Sequence, residues 1–213
     1  MQVKAIIFDK DGVLVNSEEV KATAWQQTLA YYGVKDGFSW YLLNLGPTSI
    51  SLASKAINTF NLNEFADKIS CEWHKNYLLI KDRVKPIKPN IRVLANLSNT
   101  YLIAIASSMD KVTIEAEMRK FRCREYIQVC VSGEDVGNNK PAPDIYLATS
   151  EILQVKPSEC IAIEDSPTGI CAAKSAGMFC IGFKNPLYDL DLSAADIIVK
   201  DLTQIDFTKI RIP

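Results

Sequence analysis

The chain has 213 residues, 48% of them apolar, which is enough for one α/β domain or for such a domain carrying an inserted second one. Acids and bases nearly cancel, at a net charge of −1, and no Lys/Arg run interrupts the balance, so a nucleic-acid-binding surface has no support. No run approaches the ~20 apolar residues that a membrane span needs.

Val3–Phe8 reads as a strand, and its apolar run Ala5-Ile6-Ile7-Phe8 leads directly into Asp9-Lys10-Asp11-Gly12. Its apolar stretch is too short for a signal peptide and ends in acids. From about Ser17 to Leu79 the pattern changes. There is no convincing strand, and amphipathic periodicity predicts helices over Glu18–Tyr32, Ser49–Phe60 and Glu64–Leu79. Turn signals at Gly33, Lys35-Asp-Gly37 and Gly46-Pro47 join them. Trp25 and the Tyr31-Tyr32 pair are expected in the core of this helical segment, and the single histidine, His74, in a structural or surface position. Lys85-Pro-Ile-Lys-Pro89 reads as a linker before a helix at Asn90–Leu97.

Beyond the linker, apolar runs alternate with helical patterns. Tyr101–Ala106, Ile127–Ser132, Cys160–Ile163, Phe179–Phe183 and Ile197–Val199 read as strands. They lack strict alternation, which suits a parallel sheet covered on both faces. Asp110–Phe121 carries a helical pattern with apolar positions Val112, Ile114, Met118 and Phe121. Pro141–Leu153 opens on prolines, and Ser166–Gly177 has Pro near its start and Gly at its end. The expected fold is therefore α/β: a doubly wound, Rossmann-like parallel sheet core over residues 1–15 and 86–213, with an inserted all-helical domain over 16–85. The six cysteines form no CxxC. Several lie in apolar runs, and they read as reduced thiols of a cytoplasmic protein.

In a doubly wound sheet, ligands bind at the carboxyl ends of the strands. Asp9 and Asp11 fall at one such end, Ser107 at a second, and Glu164 and Asp165 at a third, with Lys140 in the loop after Ile127–Ser132. One acid after a strand is often only a helix cap, but their joint arrival at one sheet edge calls for another account. Asp9, Asp11 and Asp165 together would repel one another unless a cation lay between them, and oxygen donors of this kind suit Mg²⁺. With Lys140, the Ser107 hydroxyl and helix-start N–H groups, they would form a site for a phosphate dianion, at which a carboxylate can act as nucleophile. A calcium loop also pairs Asp9, Asp11, Gly12 and Glu18, but its first ligand would be Ile7 and a strand precedes it. A receiver domain would be far shorter.

These segments resemble the four motifs of the haloacid dehalogenase superfamily, in order. Phe8-Asp9-Lys10-Asp11-Gly12-Val13 resembles the first and Ile105-Ala-Ser107-Ser108 the second. Lys140-Pro-Ala-Pro-Asp144 resembles the third and Ile163-Glu164-Asp165-Ser166-Pro-Thr-Gly169 the fourth. The helical insert occupies the place of that superfamily's cap, as in its first subfamily, where phosphoglycolate phosphatases and β-phosphoglucomutase-like hydrolases belong. The resemblance implies a Mg²⁺-dependent phosphatase. Asp9 would be the nucleophile and Asp11 the acid/base. Asp9, Asp165 and the Asp11 carbonyl would hold the metal, with Glu164 orienting its water. Ser107, Ser108, Lys140 and Gly12 would bind phosphate. It also implies a small phosphorylated metabolite as substrate, with the cap closing over it, and the balanced charge permits a monomer. Lys10 stands where an apolar residue is commoner, and its head is expected to snorkel to solvent. Asn16 stands where Asp is commoner. A phosphomutase similar to β-phosphoglucomutase is the rival enzyme. Lys21, in place of that enzyme's cap histidine, and the absence of arginine from Leu45–Ile50 count against it. A non-catalytic relative is the third reading.

Overall fold

The computed structural model describes residues 2–46 and 48–212, so Pro47 of the expected Gly46-Pro47 turn lies outside the described residues. The chain divides into two compact units. One comprises Met1–Val15 with Pro86–Pro213, the other Asn16–Lys85.

The first unit is built on a six-stranded sheet in which every pairing is parallel. Strand β1 (Ala5–Phe8) is central. The chain leaves through β2 (Val15–Asn16) and returns through β3 (Lys85–Pro86), two short strands of a separate sheet, and then forms α5 (Lys88–Leu97). It continues through β4 (Leu102–Ser107), α6 (Lys111–Lys120), β5 (Val129–Ser132), α7 (Asp144–Ile152), β6 (Cys160–Glu164), α8 (Pro167–Ser175), β7 (Phe179–Phe183) and β8 (Ile197–Val199). The sheet order is β5-β4-β1-β6-β7-β8. The winding therefore reverses at β1, which pairs Phe8 with Ile105 on one side and with Ile163 on the other. Such a reversal opens a crevice at the carboxyl ends of the central strands.

Side chains alternate across the sheet with period two. One face carries Ala5 and Ile7, Ala104 and Ala106, and Cys160 and Ala162, and packs in one cluster with Ile145 and Tyr146 of α7 and Ile170 and Ala173 of α8. The small side chains let these helices lie close. The other face carries Ile6, Phe8, Ile103, Ile105, Ile161 and Ile163, all fully buried. Burial on both faces accounts for the unbroken apolar runs, and each large side chain contributes roughly 1.5–3 kcal/mol. Caps set the helix starts: Asp110 accepts from the Thr113 N–H at 2.8 Å and Ser166 from the Gly169 N–H at 3.1 Å. Helix α6 turns one of its apolar positions outward. Val112 is 79% exposed, and Glu117 joins Ile114 and Met118 on the buried side.

The second unit contains α1 (Glu18–Tyr31), α2 (Gly37–Leu42), α3 (Ser49–Phe60) and α4 (Ala66–Ile80). Helix α1 packs on α2 and α4, and α3 packs on α4. Its core is aromatic. Trp25 lies 5.6 Å from Trp40 and 5.7 Å from Trp73, centroid to centroid, and Trp73 stacks on Tyr77 at 5.4 Å. Trp25 is thus core, but Tyr31 is 81% exposed, contrary to expectation, because it sits in the last turn with its face to solvent. His74 is exposed. Lys21 pairs with Glu18 at 2.7 Å, and Glu18 also accepts from the Tyr41 hydroxyl. Among the described residues no helix is long and apolar enough to cross a membrane.

All six cysteines are free thiols. Cys71 and Cys171 are exposed, and the other four are buried. Burial pushes the Cys123 thiol up to about 11 and those of Cys130 and Cys160 to about 12, and raises Cys180 as well. A chromogenic disulfide reagent should therefore titrate two thiols in the native protein and six after denaturation. Rapid reaction of more than two before unfolding would contradict this packing.

Candidate active site

Asp9 follows β1 directly, and its N–H donates to the Ile163 carbonyl at 2.9 Å, so the sheet register continues into the first residue of the loop. The loop then folds on itself: the Leu14 N–H donates to the Lys10 carbonyl at 2.9 Å and the Gly12 N–H to the Val15 carbonyl at 2.8 Å. Asn90 and Asn185 clamp it from outside, donating to the carbonyls of Val13 at 2.7 Å and Gly12 at 2.8 Å. Gly12 adopts φ +78°, and a Cβ there would meet Asp165 Oδ2 at 1.7 Å. Only glycine fits on both counts, through its left-handed backbone and its closeness to the acid.

The structure brings Asp9, Lys140, Glu164 and Asp165 together. Lys140 precedes a cis peptide to Pro141. Its ammonium lies 2.6 Å from Asp9 Oδ1, 2.6 Å from Glu164 Oε1 and 3.0 Å from the Ala106 carbonyl, so its three donors all meet protein oxygens. Ligand-capable oxygens of Asp9, Glu164 and Asp165, all buried, lie within 4.8 Å of one another. Ser107, at the end of β4, is buried, and its Oγ accepts from the Met109 N–H at 3.3 Å. Ser108 is exposed.

Glu164 is fully buried and heavily engaged. Oε1 accepts from Lys140 and, at 2.7 Å, from the Tyr146 hydroxyl; Oε2 accepts from Ser166 Oγ and the Asp165 N–H, both at 3.2 Å. A Cβ on Gly169 would lie 1.9 Å from Glu164, so glycine at this point lets the first turn of α8 pass close to the acid. Tyr146 is itself buried, its hydroxyl pKa pushed up by burial and by Glu164. Tyr188 donates to Asp165 Oδ2. Tyrosines 146 and 188 and Asn185 carry no sequence signal as site residues. They reach the site only through the fold.

Burial is the main force raising the Asp9 carboxyl to about 7. Lys140 opposes that rise, and Glu164 and Asp11 add to it. Burial also works against charge on Lys140, but Asp9 and Glu164 outweigh it and hold the ammonium above its ordinary value. Three buried carboxylates face one buried ammonium, which leaves an excess of negative charge that a divalent cation would balance. The donors are hard oxygens, the set that Mg²⁺ takes. Asp9 and Asp165 are the better candidates to hold it, since both oxygens of Glu164 already accept two hydrogen bonds each.

Asp11 does not join that group through its side chain. Its Oδ1 pairs with Lys10 Nζ at 3.0 Å. Lys10 does not snorkel: its side chain is 0% exposed, with the ammonium 2.6 Å from Glu117 Oε2. Buried Glu117 on α6 supplies a counter-charge in place of the hydration that a snorkelling head would have kept.

Residues 6–183 match the family model described as haloacid dehalogenase-like hydrolase. A fructose-1-phosphate phosphatase of Escherichia coli (strain K12) is 31% identical over 176 residues, 81% of this chain and 92% of the relative. A validoxylamine A 7'-phosphate phosphatase of Streptomyces hygroscopicus subsp. limoneus is 27% identical over 205 residues, 95% of each protein. Among solved structures, a β-phosphoglucomutase from Clostridium difficile superposes with a TM-score of 0.78 at 25% identity, over 97% of this chain and 94% of the other.

Proposed function

The chain belongs to the haloacid dehalogenase-like hydrolase family and is a phosphoric monoester hydrolase, and on that premise we propose that it is a Mg²⁺-dependent phosphatase of a small phosphorylated metabolite, acting through an aspartyl-phosphate on Asp9. The observation that supports this most is the buried Asp9 carboxylate, held by Lys140 at the switch point of the sheet with Asp165 and Glu164 alongside.

In this reading an Asp9 oxygen forms a bond to phosphorus as the ester P–O bond breaks, and Asp11 gives a proton to the departing alcohol oxygen. Water then attacks the aspartyl-phosphate. Asp11 takes a proton back from that water, and inorganic phosphate leaves. Lys140 opposes the burial that favours a proton on Asp9, without cancelling it, and fixes the carboxylate's orientation. The Ser107 hydroxyl donates to a phosphoryl oxygen, with Ser108 and the Gly12 backbone lining the phosphate site. A donor of Lys140 can turn to the phosphoryl group by releasing the Ala106 carbonyl, its longest contact at 3.0 Å. Mg²⁺, held by Asp9, Asp165 and the Asp11 carbonyl, would neutralise charge that builds on the transferring group. Glu164, pinned by Tyr146 and Ser166, orients its surroundings without needing to bind the ion.

Fructose-1-phosphate and validoxylamine A 7'-phosphate are named for relatives. They make phosphorylated sugars and polyols the first class to try. The test is phosphate release from a panel of sugar phosphates, phosphoglycolate and nucleoside monophosphates, with Mg²⁺ and with chelator. Release of phosphate from at least one sugar phosphate, lost with chelator, is expected. No release from any ester would defeat the reading. The likeness to β-phosphoglucomutase keeps a phosphomutase as the second reading. Isomerised hexose phosphate without free phosphate would establish it.

A further inference from the structure

Lys10 is left without a role in the chemistry above, yet it stands between the two aspartates with its side chain 0% exposed. A buried ammonium costs several kcal/mol in lost hydration, and a salt bridge restores that only in good geometry. Here two carboxylates bracket it, Glu117 Oε2 at 2.6 Å and Asp11 Oδ1 at 3.0 Å. Asp11 is the proposed proton carrier. Glu117 is a charged residue on the buried stripe of α6, between Ile114 and Met118, where an apolar side chain would be the ordinary occupant. Apolar replacement of a buried ion pair is often neutral or stabilising, so fold stability gives little reason for charges at these two places.

We propose that Lys10, anchored by Glu117, is a positioning residue that fixes the Asp11 carboxyl for proton transfer. This rests on the phosphatase reading and adds to it the device that aims its acid. An ammonium on Oδ1 restrains rotation of the carboxyl group, so the proton is carried on Oδ2 and delivered from one orientation. Glu117 is what keeps the lysine from turning away, since its own contact with Lys10 is the shorter of the two. Loss of such alignment is felt in the transition state more than in substrate binding, and a misplacement of about 1 Å can cost ~10²-fold.

A purely structural role and a positioning role separate on leaving groups. An alkyl phosphate needs a proton on its departing oxygen, whereas p-nitrophenyl phosphate departs as a stable phenolate and does not. The variants are Lys10→Met/Glu117→Met, which removes both charges and keeps chain length, and Glu117→Gln, which keeps volume and a hydrogen-bond acceptor. The quantity is kcat/KM, which covers steps through phosphoryl transfer and leaves hydrolysis of the phosphoenzyme aside. The double variant is expected to lose about 10–10²-fold on the alkyl ester and less than ~3-fold on the nitrophenyl ester. Glu117→Gln should show the same asymmetry at smaller size, and decides the matter should the double variant not fold. Equal losses on both esters, or no loss on the alkyl ester, would overturn the proposal. Wild-type protein that hydrolyses neither ester with Mg²⁺ would instead overturn the phosphatase reading on which it stands.

Discussion

Asp9→Asn is expected to lower phosphate release with Mg²⁺ by on the order of 10⁴-fold or more, the scale on which loss of a nucleophile acts. Asparagine has the same size and can still accept from Lys140 through its carbonyl oxygen, so the loop and the Lys140 contact at 2.6 Å should survive. What it lacks is an anionic oxygen able to bond to phosphorus. Circular dichroism of the variant should match that of the wild type. With an acid-stable trap for labelled substrate, wild-type protein should carry phosphate transiently and the variant none. A variant that kept a tenth of its activity would place the nucleophile elsewhere.

Lys140→Met carries the largest expected effect on stability. It would leave Asp9 and Glu164 buried with no ammonium between them, and removal of one partner from such a group costs about 3–5 kcal/mol. The loss should depend on pH. Asp9 is raised to about 7, so the folded form holds a proton there more readily than the unfolded chain does. The proton's contribution to stability is present at acid pH and is lost as pH rises through that value. In the variant, which lacks the lysine that opposes the rise, Asp9 should protonate still more readily. The deficit should therefore be smaller in acid and greatest at alkaline pH. Mg²⁺ should return part of it by binding among the same carboxylates. Urea titrations across pH, with and without the metal, measure all three effects. A variant as stable as the wild type at alkaline pH would show that the carboxylates do not strain against one another.

The strands could be read in the sequence because each of the central ones is buried on both faces, so Ala5–Phe8, or the stretch 160–163 of β6, is apolar throughout and gives way abruptly to a polar residue. The residues at those ends, Asp9, Ser107 and Asp165, could be named for the same reason. Short helix α2 was not legible: six residues are under two turns, and Lys35-Asp-Gly37 reads as a turn although Gly37 begins the helix. The fate of Lys10 was hidden for a different reason. Whether a lysine snorkels or is buried depends on what waits for its head, and Glu117 is 107 positions away. Tyr146, on Glu164, and Tyr188, on Asp165, are likewise joined to the site only by the way helix α7 and the loop after β7 lie over the sheet. Local pattern gives elements and their ends, but side-chain partners across the fold follow from tertiary packing.

All three tryptophans, Trp25, Trp40 and Trp73, belong to the helical unit, where they pack within one aromatic cluster. The four shielded thiols, at positions 123, 130, 160 and 180, belong to the sheet-bearing unit. The natural sequence thus carries segregated labels. Indole emission reports on one unit alone, and the exposure of hidden sulfur reports on the other. Followed side by side through one melt, the two signals tell whether an intervening segment of seventy residues shares the cooperativity of its host or comes apart on its own schedule.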